Sequence, residues 1–130
     1  VAATYRVAEA AALLGVSDDT VRRWIDSGRL GARRDGGGPA VVDGAELARV
    51  ATQLREAPEP GTTPSSARNR LTGIVTRVLR DTVMAQVEIQ AGPFRLVSLM
   101  SREAADALGL EVGVRAVATV KATQVSVDVP

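Results

Sequence analysis

Cysteine and histidine are both missing from these 130 residues. Disulfides, thiolate nucleophiles, imidazole bases and nearly every zinc site are thereby excluded. A cysteine-free chain fits the cytoplasm, and cytoplasmic residence is expected. Large aromatic side chains are scarce too, since Tyr5, Trp24 and Phe94 are the whole set. Halves built from so few large groups have small cores, so dependence on oligomerisation is expected. No apolar run approaches the length of a membrane span, and no secretory signal opens the chain. The acidic residues show no pairing suited to acid/base catalysis, so an enzyme is not expected. Lysine is reduced to a single copy, Lys121, in a chain whose other basic residues are all arginine.

Net charge is +1, so the molecule as a whole does not advertise an affinity for nucleic acid. Its distribution says more. Arg22, Arg23, Arg29, Arg33 and Arg34 crowd one short window in which Asp26 is the only acid, predicting a local basic patch. Residues 7–14 are alanine-rich and predict a helix that Gly15 ends, with Val16 as the hydrophobic partner of the cap. Ser17 then caps a second helix whose first turn carries Asp18 and Asp19. Val21, Trp24 and Ile25 share its inner face, and Arg22, Arg23 and Asp26 the outer one. Residues 30–34 and 39–42, on either side of an Asp-Gly-Gly-Gly turn, predict a small hairpin or wing. Asp43, with Glu46 in the capping-box position, predicts a third helix to about Glu56. The triple glycine precedes Pro39 rather than a helix, which argues against a phosphate loop.

Tyr5-Arg6-Val7-Ala8-Glu9-Ala10-Ala11, Leu14-Gly15-Val16-Ser17, Thr20-Val21-Arg22-Arg23-Trp24 and Gly28-Arg29-Leu30 resemble the MerR/excisionase type of winged helix-turn-helix. The resemblance covers residues 1–56 and implies binding to double-stranded DNA. The second helix would enter the major groove, and the wing would touch the backbone or the adjacent minor groove. Carried over by position, Thr20, Arg22 and Arg23 face the groove, and Arg33 and Arg34 are the wing contacts. Whether an arginine here reads guanine or grips phosphate stays open.

Residues 57–65 hold Pro58, Pro60 and Pro64 and predict a semi-stiff linker. Beyond them, residues 66–130 read as short strands. Residues 71–79 are β-rich, and Gly73 predicts a bend or a close backbone approach. Val83, Ala85, Val87 and Ile89 alternate with polar or solvent-facing positions. Strands are also predicted over 94–100, 115–121 and 123–129, with a short helix at 101–108 capped by Ser101. The fold class is therefore α+β: a mainly α winged helix-turn-helix, then a small OB-like β-barrel of five strands with one short helix. With Phe94 as the sole aromatic of that half, base stacking is an unpromising use for it. Arg68 and Lys121 lie at either end of the β-rich run. On spacing alone they are two solvated surface charges. Against that, a single lysine among arginines suits a compact three-donor ammonium, and one Arg, one Lys and neighbouring hydroxyls suit a small tetrahedral dianion.

Residues 66–73 (beginning Ser66-Ala67-Arg68-Asn69), Ser101-Arg102-Glu103-Ala104, Leu108-Gly109-Leu110 with Gly113, and residues 120–125 (Val120-Lys121-Ala122-Thr123-Gln124-Val125) together resemble the Mop (molbindin, TOBE-type) domain. The resemblance implies an oxyanion, molybdate and often tungstate, held at a subunit interface. By position, Ser66, Arg68, Lys121, Ala122 through its backbone, and Thr123 are its ligands. Ser101, from a neighbouring subunit, is either a further ligand or simply the helix cap. Thr123 is equally readable as an ordinary strand hydroxyl. A homo-oligomer is implied, a dimer or a hexamer built from dimers. The two resemblances together imply a molybdate-responsive transcriptional regulator. The alternatives are a molybdate store tethered by its DNA-binding half, and an excisionase-like architectural protein whose barrel serves assembly.

Overall fold

A computed structural model of the protein describes residues 3–54 and 64–130. The chain forms two compact units, Val1–Thr62 and Thr63–Pro130. Most of the predicted linker lies outside the described residues.

In the first unit, strand β1 (Thr4–Arg6) leads into helix α1 (Val7–Leu14), followed by α2 (Asp18–Asp26). The turn between the helices is built as its residues predict. Gly15 takes the left-handed conformation at φ 67°, and the Val16 N–H reaches back to the Ala11 carbonyl at 3.0 Å. The Ser17 hydroxyl accepts from the Thr20 N–H at 3.1 Å, capping α2. The wing follows as β2 (Arg33–Arg34) and β3 (Ala40–Asp43), and α3 (Gly44–Gln53) closes the unit. Strand β3 is central, with β1 on one side and β2 on the other. Strand β1 was not predicted, because three residues are too few to show an alternating pattern. The core collects Ala10, Ala11, Val21, Leu30, Val42, Leu47 and Val50, with Trp24 and Ile25 packed against it. Leu30 is one of these buried residues rather than part of the wing strand, which starts only at Arg33.

One predicted cap fails. Asp43 precedes α3 but makes no side-chain bond to its first turn, and forms an ion pair with Arg33 instead. Glu46 turns away from the cap as well, accepting from the Gly31 N–H at 3.1 Å and from Arg49 at 2.8 Å. The tertiary partners outcompete the local box.

The second unit is an antiparallel sheet in the order β6-β5-β4-β7, with a short helix. Its elements are β4 (Asn69–Arg80), β5 (Met84–Ala91), β6 (Phe94–Ser101), α4 (Arg102–Ala107) and β7 (Arg115–Val120). The long strand β4 changes partner midway. It pairs with β7 from Asn69 to Ile74 and with β5 from Ile74 to Arg80, with a bulge between Val75 and Arg77. Bulges increase local twist and bend a strand, and here they curl the sheet into an OB-like half-barrel. Ala85, Val87, Ile89 and Ala91 are buried along β5, and Val75, Ala105 and Leu110 complete the core. Val83 is an exception to the predicted alternation: it precedes the strand and is exposed.

The predicted fifth strand over 123–129 is absent. Residues 122–124 form a single 3₁₀ turn, and residues 125–130 carry no ladder pairing. Their alternation of valine with polar residues is a strand pattern without a neighbouring strand among the described residues to satisfy it.

Gly73 sits on β4 next to the pair Ile74–Gln90 that joins it to β5. A methyl group there would lie 2.3 Å from the Gln90 carbonyl oxygen and 2.8 Å from its carbon. Both are backbone atoms in the adjoining strand, so nothing nearby can swing away. Gly73→Ala is expected to destabilise this unit by about 3 kcal/mol, measurable by urea denaturation followed by circular dichroism.

Candidate functional site

The ladder between β4 and β7 decides where the two candidate cations go. Its last rung pairs Asn69 with Val120, and the Asn69 side-chain amide donates to the Val120 carbonyl at 3.0 Å. Asn69 therefore locks the backbone at this end of the sheet. Arg68 and Lys121 are the next residues on the two locked strands. Fifty-three positions apart in sequence, each lies one residue beyond this rung, whose antiparallel backbones stand about 5 Å apart. Both side chains are exposed. Arg68 donates to the Ser65 carbonyl at 3.2 Å, and the Ala67 N–H to the Ser65 hydroxyl at 3.1 Å, shaping the segment that carries Ser66.

Past Lys121 the chain bends at once. Gln124 N–H donates to the Lys121 carbonyl at 2.9 Å, closing the turn that holds Ala122 and Thr123. The first N–H groups of such a turn have no acceptor within it. Ser66, Arg68, Lys121, Ala122 and Thr123 thus all lie at one end of the sheet.

Ser101 does not. It closes β6 opposite Met84, next to the rung pairing Ala85 with Arg80. Along β4 that is eleven residues from Asn69, on the order of 35 Å of extended strand. Its hydroxyl accepts from the Ala104 N–H at 3.1 Å and caps α4. Within one chain Ser101 is a cap and is remote from the other five residues.

In the first unit Arg22, Arg23 and Thr20 lie along the outer side of α2. Arg22 pairs with Asp19 at 3.2 Å, and Arg23 donates to the Thr20 hydroxyl at 3.1 Å. Exposed pairs of this kind are worth about 0–1 kcal/mol and exchange readily for a phosphate or base edge. The wing arginines part company, Arg33 bound to Asp43 and Arg34 reaching the Gly38 carbonyl at 3.4 Å. Arg29 lies over the Trp24 ring, 5.2 Å from its centre.

Sequence reasoning missed how the wing is anchored. Arg49 donates to the Arg29 carbonyl at 2.5 Å and to Glu46, while Glu46 holds the Gly31 N–H. The Glu46/Arg49 spacing on one helix face was the available signal. The Arg49 hydrogen bond, then the Gly31 N–H, hold the Glu46 carboxyl below its ordinary range. A lowered carboxylate pKa contributes stability that is complete above the unfolded value of about 4.3 and fades as pH falls through the folded one. Acid titration of the wild type is expected to show this loss below pH 4.3, and Glu46→Gln to flatten it, both read by thermal melts.

Among the described residues there is no cluster of three or more metal-ligating side chains, and no helix long and apolar enough to cross a membrane.

Residues 4–55 match the family of the helix-turn-helix domain, and residues 65–127 that of the TOBE domain. No curated protein matches the chain. Solved structures that resemble it include a molybdate binding protein from Sporomusa ovata. That protein is 31% identical over 50% of this chain and 97% of its own, with a TM-score of 0.48. MopII from Clostridium pasteurianum is 33% identical over 51% of this chain and 100% of its own, also with a TM-score of 0.48.

Proposed function

Because this chain belongs to the helix-turn-helix and TOBE domain families, one following the other, we propose that it binds double-stranded DNA and molybdate. Residues 1–56 serve the DNA, residues 66–130 serve the ion, and residues 57–65 join them. The observation that supports the ion site is the Asn69–Val120 rung, because Arg68 and Lys121 are the residues that follow it on the two strands. Two charge-assisted donors neutralise a dianion, and Ser66, Thr123 and the Ala122 N–H add hydrogen bonds to its oxygens. A protein from Sporomusa ovata with 31% identity to this half is a molybdate binding protein. Tungstate, of the same charge and shape, is a second ligand for the same site. Both halves are binding modules, and the chain is no enzyme. The cytoplasm is where both of its ligands would be met.

The assembly is a homo-oligomer, a dimer or a hexamer built from dimers. Among the described residues, all the exposed large hydrophobic ones except Leu13 and Leu54 belong to the second unit, including Leu99, Val127 and Val129. Exposed apolar surface concentrated in one half favours association through that half. Association also offers the only way for Ser101, remote within its own chain, to approach an ion from a neighbouring subunit.

Ion binding between subunits then changes DNA affinity, which makes the protein a molybdate-sensing transcriptional regulator. Gel shifts on a selected operator with and without molybdate test this coupling. We expect a 5- to 150-fold change, the usual range for linked sites, on the order of 1–3 kcal/mol. An unchanged operator affinity overturns the regulatory reading. Many ions per chain and no preferred DNA site would instead support a tethered store.

A further inference from the structure

The three exposed arginines Arg6, Arg22 and Arg34 come from three elements and line one cleft. Arg6 stands at the junction of β1 and α1, Arg22 on α2 and Arg34 on the wing strand β2. Pro39 and Ala40 form the wing side of the cleft, and Asp18 and Asp26 mark the two ends of α2 along it. Arg33 is elsewhere. It lines a different cleft with Gly31, Val41, Asp43 and Glu46. The cause is the period of two in a strand: successive side chains leave on opposite faces, so neighbouring arginines on β2 cannot serve one surface. Arg34 is opposite Ala40 and Arg33 opposite Val41, and Asp43 holds Arg33 on its own side.

We propose that the cleft between α1, α2 and the wing is a phosphate grip for duplex DNA, built by Arg6, Arg22 and Arg34. This deepens the DNA-binding reading and rests on it. Three guanidinium groups face the two carboxylates of the lining, and Asp19 pairs with Arg22 from outside it, so each arginine is placed to exchange an exposed contact for a backbone phosphate. Arginine suits the task because its planar fork meets two phosphate oxygens at once. Arg34 has only a long 3.4 Å bond to give up, and Arg22 only an exposed ion pair. Arg33 is a positioning residue that ties β2 to the end of β3 and touches no DNA. Of the two adjacent wing arginines, a single one is therefore a contact, and a contact lies upstream at Arg6, before the first helix.

The salt dependence of binding to an unrelated 20-base-pair duplex separates these roles. Each lost phosphate contact lowers the slope of log affinity against log salt by about 0.9. Arg6→Ala, Arg22→Ala and Arg34→Ala in the full chain are each expected to weaken binding about equally on any sequence and to lower the slope by about 0.9. Arg33→Ala is expected to keep the wild-type slope, even if a looser wing reduces affinity, because a structural role releases no counterion. Arg33→Gln, which keeps a hydrogen-bond donor toward Asp43, is expected to restore any affinity so lost. A wild-type slope in Arg6→Ala or Arg34→Ala overturns the grip, as does a reduced slope in Arg33→Ala. If the wild type binds neither this duplex nor a selected operator, the DNA-binding reading falls and the grip falls with it.

Discussion

Lys121→Ala is expected to fold normally and to lose on the order of 100-fold in molybdate affinity, read by equilibrium dialysis of the full chain. Folding survives because Lys121 is exposed and follows the last residue of β7, so truncation removes no ladder bond and opens no cavity. Affinity does not survive, because a dianion left with Arg68 alone keeps about one uncompensated charge. A hydrogen bond to a charged group contributes about 1.5–3 kcal/mol, and 100-fold falls within that range. Lys121→Arg is expected to recover only part of the loss, since a planar fork replaces a compact ammonium at the same backbone position. Full affinity in Lys121→Ala would remove this residue from the site.

Deleting residues 125–130 is expected to dissociate the assembly and to take molybdate binding with it. Val125, Val127 and Val129 alternate along this segment and are all exposed, Val127 at 83% and Val129 at 89%. Burying even two such side chains against a neighbouring subunit contributes about 3–6 kcal/mol, so their loss weakens association on the order of 1,000-fold. Sedimentation velocity reads the mass and dialysis reads the ion. Val127→Asp, which keeps the chain length, is expected to act in the same direction. A truncated protein with unchanged mass and unchanged ion binding would leave the segment without a role in assembly.

The sequence made some parts of this molecule legible and hid others, for reasons that can be assigned. Gly15 and Ser17 specify their turn through bonds no more than five residues long, and both form as predicted. The β5 alternation reads correctly for Ala85, Val87 and Ile89, which are buried, but its other face is half-covered at Gln86 and Gln90 and buried at Glu88, which pairs with Arg95. Asp43 and Glu46 also make a well-formed local signal, yet Arg33, Gly31 and Arg49 claim them. Tertiary partners outbid a local cap whenever they are charged and close. The strand expected at 123–129 fails for a different reason: periodicity reports that a segment is suited to a sheet, not that its own chain provides the neighbour. That Arg68 and Lys121 belong to one end of the sheet was suggested only by the Mop resemblance, since spacing alone made them unrelated charges. The Asn69–Val120 rung beside them is a property of register, and register between distant strands is not written in either strand alone.

The central claim is that these two cations, delivered to one sheet end by the Asn69–Val120 rung, hold molybdate. Crystals of the full chain grown with molybdate and measured at the molybdenum absorption edge test it directly. The account predicts an anomalous peak whose oxyanion lies within about 2.7–3.2 Å of both the Arg68 guanidinium and the Lys121 ammonium. A peak bound elsewhere, or an occupied site that leaves either cation pointing into solvent, would contradict it.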